Sequence, residues 1–422
     1  MVGRATADTL VGDDVFRRWL RGRRLTLALI SSACVLIGLL RLQRLTHRRP
    51  PIGPSAVSTP LSIFKATRTP PGCGLLPPRA LGGDGGNLQL SELLRSDSFF
   101  KEICALPGDS FNVSSGCVYM KARGLFCLPT FLLIGITKAG TTAFFRYMAQ
   151  HPRIALSSLK EPAYFGSYQE AAALKRLDST SDERLLRYVS LFPRCADCQR
   201  GEATPSYAWR DYAPAAARGA AQLLGPTTRL LMLVREPLER AGSHFRYFRT
   251  KRYRDAANFS EALSIALDEF ELCARQLGGD WHARCTYRPG RRAVAAESGA
   301  GSGLPARLAH LAQRHKEYEL VQAGLYAEHL STWRSHFDHG AMLVLDSSQL
   351  LSKPLEALRA FEAHLRLPRF ASYHFIGGRT IPEIATARYQ LEVPLVRRAD
   401  RFFEPHNVRL RMLTGIGWDM KV

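Results

Sequence analysis

The stretch Phe131–Gln150 constrains the chain most. An apolar run of strand length, Phe131-Leu132-Leu133-Ile134-Gly135, leads into a short loop carrying Lys138 and Gly140, and a helical pattern starts at Thr141 or Thr142. Ala143, Phe144, Tyr147 and Met148 fall on neighbouring turns of that helix. Strand, tight loop and helix together aim several backbone N–H groups and the positive end of a helix at one point, and Lys138 adds a full charge there. The arrangement predicts a phosphate-binding loop.

It is not the loop of a Mg-ATP kinase. Gly135 and Gly140 have the right separation, but Thr141 stands where that loop needs lysine, and the lysine sits inside the loop at position 138. No strand end offers a strong candidate for a second, metal-holding carboxylate. Further strands are expected at Arg229–Val234 and Ala341–Leu345. Helices are expected at Thr142–Gln150, Asp182–Leu191, Leu238–Phe248, Phe259–Leu272, Leu320–His336, Leu355–Leu365 and Val396–Leu413. Short aliphatic strands alternating with amphipathic helices predict an α/β fold, a P-loop-like parallel sheet flanked by helices, with ligands outside the carboxyl ends of the strands.

The N-terminal fifth of the chain reads differently. Residues 1–24 are polar and basic and are expected to be a cytoplasmic tail; residues 25–40 are an uncharged, mostly apolar run. At about 1.5 Å per residue that run spans roughly 24 Å, short for a bilayer but tolerable where flanking arginines snorkel. No small-residue cleavage site comes after it, so an uncleaved signal anchor is expected. Residues 41–87 are rich in Pro, Gly, Ser and Thr and read as an extended luminal stem, and 88–422 as the globular luminal domain. A luminal location is expected because eight cysteines lie beyond the apolar run, an even set suited to disulfides, and two N-glycosylation sequons begin at Asn112 and Asn258. Cys195 and Cys198 could be half of a zinc site, but with no matching second pair nearby a disulfide is the better reading. The formal charge of +21 favours a polyanionic partner, whether nucleic acid, anionic membrane or acidic polysaccharide.

Thr137-Lys138-Ala139-Gly140-Thr141-Thr142 resembles the 5′-phosphosulfate loop of sulfotransferases that use 3′-phosphoadenosine 5′-phosphosulfate (PAPS). Leu230-Leu231-Met232-Leu233-Val234-Arg235-Glu236-Pro237, with Ser243 further along, resembles the same family's 3′-phosphate motif. Three other segments resemble the membrane-bound carbohydrate sulfotransferases: Lys160-Glu161-Pro162-Ala163-Tyr164-Phe165, Gly201-Glu202-Ala203-Thr204-Pro205-Ser206-Tyr207, and the segment from Gly324 to Trp333. Heparan sulfate members usually carry lysine where this chain has Ala203, a departure that argues against a heparan sulfate 3-O-type acceptor site. The region from Phe259 through Cys273, Cys285 and Tyr287 most resembles N-acetylgalactosamine 4-sulfate 6-O-sulfotransferases.

The resemblance implies a sulfotransferase fold and transfer of a sulfuryl group from PAPS to a glycosaminoglycan hydroxyl. The 6-O position of N-acetylgalactosamine 4-sulfate in chondroitin or dermatan sulfate is the expected target. Another glycan such as heparan sulfate, or a non-catalytic polysaccharide-binding protein on the same fold, is the alternative. The implied location is the Golgi membrane, single-pass type II, with no nucleic-acid partner and no metal. Ala139, Gly140, Thr141 and Thr142 would hold the 5′-phosphate through their N–H groups, Arg235 and Ser243 the 3′-phosphate, and Lys138 the bridging oxygen. Glu161 would be the base, tuned by partial burial, and Lys160 would meet donor sulfonate or acceptor charge; a structural ion pair is the other reading of Glu161. His244 lies next to Ser243, but adjacent helical positions do not face each other. Phe402, Phe403 and Trp418 fit core packing, and Arg246–Arg254 reads as an arginine-rich loop that would attract a sulfated polysaccharide.

Overall fold

The computed structural model describes residues 97–106, 111–112, 116–120, 122–166, 184–195, 197–252, 256–277, 285–287, 316–375 and 391–418. The expected tail, anchor and stem, and the start of the globular domain at 88, lie outside these residues. No helix among the described residues is long and apolar enough to cross a membrane.

In chain order the elements are α1 (Ser98–Cys104), β1 (Phe111–Asn112), β2 (Cys117–Met120), β3 (Gly124–Cys127), β4 (Phe131–Gly135), α2 (Thr141–Met148), β5 (Ile154–Leu156), α3 (Arg184–Ser190), β6 (Gln199–Ala203) and α4 (Ala213–Leu224). They continue with β7 (Arg229–Val234), α5 (Pro237–Arg252), α6 (Phe259–Leu277), α7 (Tyr318–Gln322), α8 (Tyr326–Arg334), β8 (Met342–Asp346), α9 (Ser347–Ser352), α10 (Pro354–His364) and α11 (Val393–Thr414). Strands β1 to β3 form a small antiparallel sheet, joined across β2 and β3 by the Cys117–Cys127 disulfide. The other five form a parallel sheet in the order β5-β6-β4-β7-β8.

Strand β4 is central, and all five of its residues are buried. A parallel strand covered on both faces needs such a continuous aliphatic run. Its neighbour β6, Gln199-Arg200-Gly201-Glu202-Ala203, is polar and is not among the strands expected from the sequence. Each buried polar group in it has partners from elsewhere. Arg200 donates to the carbonyl oxygens of Leu128 at 3.0 Å and Cys195 at 2.6 Å, and Glu202 accepts from three hydroxyls. At Gly201 a Cβ would lie 2.2 Å from the Phe131 ring, so the ring of β4 occupies the space a side chain would need.

The helix expected over Leu320–His336 is instead two, α7 and α8, broken at Ala323-Gly324-Leu325. A Cβ on Gly324 would sit 2.9 Å from the Phe403 ring of α11, so close helix packing fills that position. Phe403 is fully buried, while Phe402 and Trp418 are partly buried against the cores, as packing residues should be. The stretch Arg246–Arg252 is the end of α5 and not a loop. Cys195 bonds to Cys198 and Cys273 to Cys285, and Cys104 is also disulfide-bonded.

The order β5-β6-β4-β7 places the chain reversal between β4 and β7: from β4 the chain moves out one way to β5 and β6, and later returns to the other side as β7. Crevices at such reversals, at the carboxyl ends of the strands, are where α/β sheets bind ligands.

Candidate active site

A cavity of about 660 Å³ opens at that reversal. Segments at the carboxyl ends of the strands build its wall: Thr137, Lys138 and Gly140 to Thr142 after β4, Glu161 after β5, Thr204 to Ser206 after β6, Arg235 and Ser243 after β7, and Ser347 after β8. Trp209, Arg210, Tyr247 and Phe248 complete much of the rest. Residues scattered over two hundred positions of sequence therefore converge because a parallel sheet delivers all its strand ends to one edge.

The loop after β4 has the geometry expected of an anion cradle. Lys138 has φ 73° and Gly140 φ 83°, and α2 starts directly after Gly140 with no side-chain cap. The first amides of a helix have no intrahelical acceptor, so those of Thr141 and Thr142 are available to an anion. Ala139 differs from expectation. It is fully buried, does not line the cavity, and its amide donates to the Ile136 carbonyl at 3.0 Å, so its N–H closes the loop from within.

The Lys138 ammonium lies 4.1 Å from the centre of the Tyr247 ring. Burial lowers the pKa of Lys138 first, and the charges of Arg235 and Arg246 lower it further. Arg235, whose side chain is 12% exposed, donates to Glu239 at 3.1 Å, and the Tyr326 hydroxyl donates to its carbonyl at 2.6 Å. Burial lowers the pKa of this guanidinium also. Arg210 pairs with Glu319 and stacks 4.4 Å over Trp209, whose indole donates to Thr137 at 3.0 Å. The cavity wall thus combines three cations (Lys138, Arg210 and Arg235), a helix N-terminus, several hydroxyls and the carboxylate of Glu161, a donor set suited to an anionic ligand.

Glu161 lines the cavity; its side chain is 52% exposed and pairs with Lys160. Lys160 does not line the cavity. Ser243 does, whereas His244 is fully buried and accepts from Arg240 at 2.9 Å, so the two adjacent side chains part as the helical geometry requires. Among the described residues no group of three or more His, Cys, Asp and Glu is arranged to hold a metal ion. Thr204, Trp209 and Arg210 join the wall without having been expected there. They lie just past the polar strand β6, and only recognition of that strand would have placed them at the carboxyl edge.

The sequence matches no family profile. It is 26% identical over 330 residues to heparan sulfate glucosamine 3-O-sulfotransferase 3B1 from Homo sapiens, covering 71% of this chain and 67% of that one. To carbohydrate sulfotransferase 15 from Homo sapiens it is 26% identical over 255 residues, covering 52% of this chain and 40% of that one. A sulfotransferase structure from Alicyclobacillus acidocaldarius aligns at TM-score 0.46 with 20% identity, covering 69% of this chain and 98% of that one. This chain therefore spans about two thirds of the first relative's length and less than half of the second's. It is a distant homologue of the sulfotransferases, and that homology supports an enzyme of the transferase class.

Proposed function

We propose that the protein transfers a sulfuryl group from PAPS to a hydroxyl of a glycosaminoglycan. The observation that carries this reading is one cavity that brings Lys138 and the start of α2 together with Arg235 and Ser243, two anion-binding ends fit for a nucleoside carrying phosphate on both sides. Lys138 and the amides of Thr141 and Thr142 hold the 5′ end, with Gly140 letting the backbone approach; Arg235 and Ser243 hold the 3′-phosphate. PAPS supplies the sulfuryl group. In-line transfer forms a bond from the acceptor oxygen to sulfur and breaks the bond from sulfur to the bridging oxygen, leaving adenosine 3′,5′-bisphosphate (PAP). Glu161 takes the proton of the attacking hydroxyl, and Lys138 balances charge on the departing bridging oxygen. Such chemistry asks the protein for positioning and charge stabilisation above all.

Among acceptors, heparan sulfate has more support than the galactosaminoglycan expected from the Phe259–Tyr287 resemblance, because the similarity to a heparan sulfate 3-O-sulfotransferase is longer and covers more of both chains. Ala203, fully buried at the end of β6, brings no cation to the site, and on this reading Arg210 of the cavity wall, though paired with Glu319, is the candidate to meet the acceptor's charge. The disulfides and the exposed Asn258 of the second sequon support a luminal domain, held at the Golgi membrane by residues 25–40.

The test is radiolabelled PAPS offered with heparan and chondroitin chains, sulfated and desulfated, and then disaccharide analysis. Label in one chain type identifies the acceptor. PAP binding with no transfer to any of them would leave the polysaccharide-binding reading and reject the enzyme. Glu161→Gln should abolish transfer and spare PAP binding.

A further inference from the structure

The segment after β5 is held in an unusual shape. Glu161 has φ 62° and Ala163 φ 54°, a region that side chains other than glycine rarely adopt. Something must hold two such residues on either side of Pro162. The structure shows three backbone amides of this segment donating to the chain at and just beyond the end of β6. Glu161 N–H donates to the Ala203 carbonyl at 3.1 Å, Ala163 N–H to the Thr204 hydroxyl at 3.2 Å, and Phe165 N–H to the Tyr207 hydroxyl at 3.3 Å.

A hydroxyl accepts reliably only if its own hydrogen is committed elsewhere. Both hydroxyls are committed to the same group. Thr204 donates to one oxygen of the Glu202 carboxylate at 2.7 Å, and Tyr207 donates to the other at 2.8 Å, where Tyr188 also donates at 3.3 Å. Glu202 is fully buried and does not line the cavity, whereas Thr204 and Glu161 do. A buried carboxylate with no contact to the cavity is costly to retain unless its hydrogen bonds serve some end.

We propose that Glu202 is a positioning residue for Glu161: its carboxylate turns the hydroxyls of Thr204 and Tyr207 so that both accept from the backbone at Ala163 and Phe165, which locks the positive-φ turn that aims Glu161 into the cavity. The inference rests on the reading of Glu161 as the base. An amide at position 202 offers two N–H donors where the network supplies donors already, so one hydroxyl must turn and release its backbone amide. Thr204→Val removes one link with little change of volume, and Thr204→Ser keeps it.

The experiment measures kcat, KM for PAPS and PAP affinity for T204V, T204S, E202Q and E161Q, with T204V repeated in the E161Q background. We expect T204V and E202Q to lower kcat on the order of 10- to 100-fold, as misplacement of a reacting group does. PAP affinity should stay within about twofold, T204S should recover most of the rate, and T204V should add nothing to E161Q. If E161Q keeps its activity, the base assignment fails and this inference with it. If E161Q is inactive while T204V turns over normally, the base stands and the positioning role is overturned. Loss of folding and PAP binding together in T204V, or failure of T204S to restore the rate, would make the network a purely structural one and also overturn it.

Discussion

The ammonium of Lys138 rests 4.1 Å from the centre of the Tyr247 ring, and both side chains line the same cavity. Tyr247 is 60% exposed, so the ring offers a weak hold, worth about 0.5–1 kcal/mol at such a site. A ligand phosphate competes for that ammonium. Tyr247→Leu should therefore raise PAP affinity about two- to fivefold, read by calorimetry. A fall in affinity would mean that the ring contacts the nucleotide directly.

Lys138 also couples ligand binding to protons. Its pKa is lowered, by burial first and then by Arg235 and Arg246. Above that lowered pKa the free protein carries a neutral amine, and an arriving phosphate favours the charged form. PAP binding should then take up protons at alkaline pH and take up none well below the lowered pKa. Calorimetry at alkaline pH in buffers of different ionisation enthalpy measures the uptake, and Lys138→Ala should abolish it.

Glu202 supplies a pH dependence of stability with the opposite origin. Burial pushes its pKa up to about 7 from 4.5, with the negative charge of Glu161 adding to the rise and the hydroxyls of Thr204, Tyr207 and Tyr188 opposing it. Between those two pH values the folded protein binds more protons than the unfolded chain, so stability falls as pH rises through that window. Melting temperatures taken across it should decline in the wild type and change less in Glu202→Gln. Equal slopes would show that Glu202 does not titrate there.

The sequence made some of this legible and hid the rest for physical reasons. Strands β4 and β7 are aliphatic because both faces are covered, and the residues beyond their ends, Lys138, Arg235 and Ser243, could be placed at the carboxyl edge from the strands alone. Strand β6 carries Gln199, Arg200 and Glu202, which nothing local distinguishes from a loop. The buried pair among them is satisfied by distant groups, Arg200 by Leu128 and Cys195, Glu202 by Tyr188, Thr204 and Tyr207. Missing that strand hid Thr204, Trp209 and Arg210 with it. The break between α7 and α8 was equally hidden, because the group that fills the space at Gly324 is Phe403, far along the chain. The pairing of Glu161 with its neighbour Lys160, the other reading open from the sequence, is present beside its place in the cavity wall.

Gly201 tests whether β6 is held by the packing inferred for it. A methyl group there would lie 2.2 Å from Phe131, nearer than atoms can approach. The ring cannot easily retreat, since it packs edge-on against the buried Phe361 at 5.4 Å, which in turn meets Phe144 at 5.3 Å. Overpacking of this kind costs about 1–3 kcal/mol, and displacement of β6 would also disturb Glu202 and Thr204 one and three residues on. Gly201→Ala should thus lower the melting temperature and the transfer rate together. Phe131→Leu alone should destabilise by a cavity, yet in the double variant it should relieve the clash and recover part of the loss. A double variant no better than the sum of its parts would show that the strand is displaced for another reason.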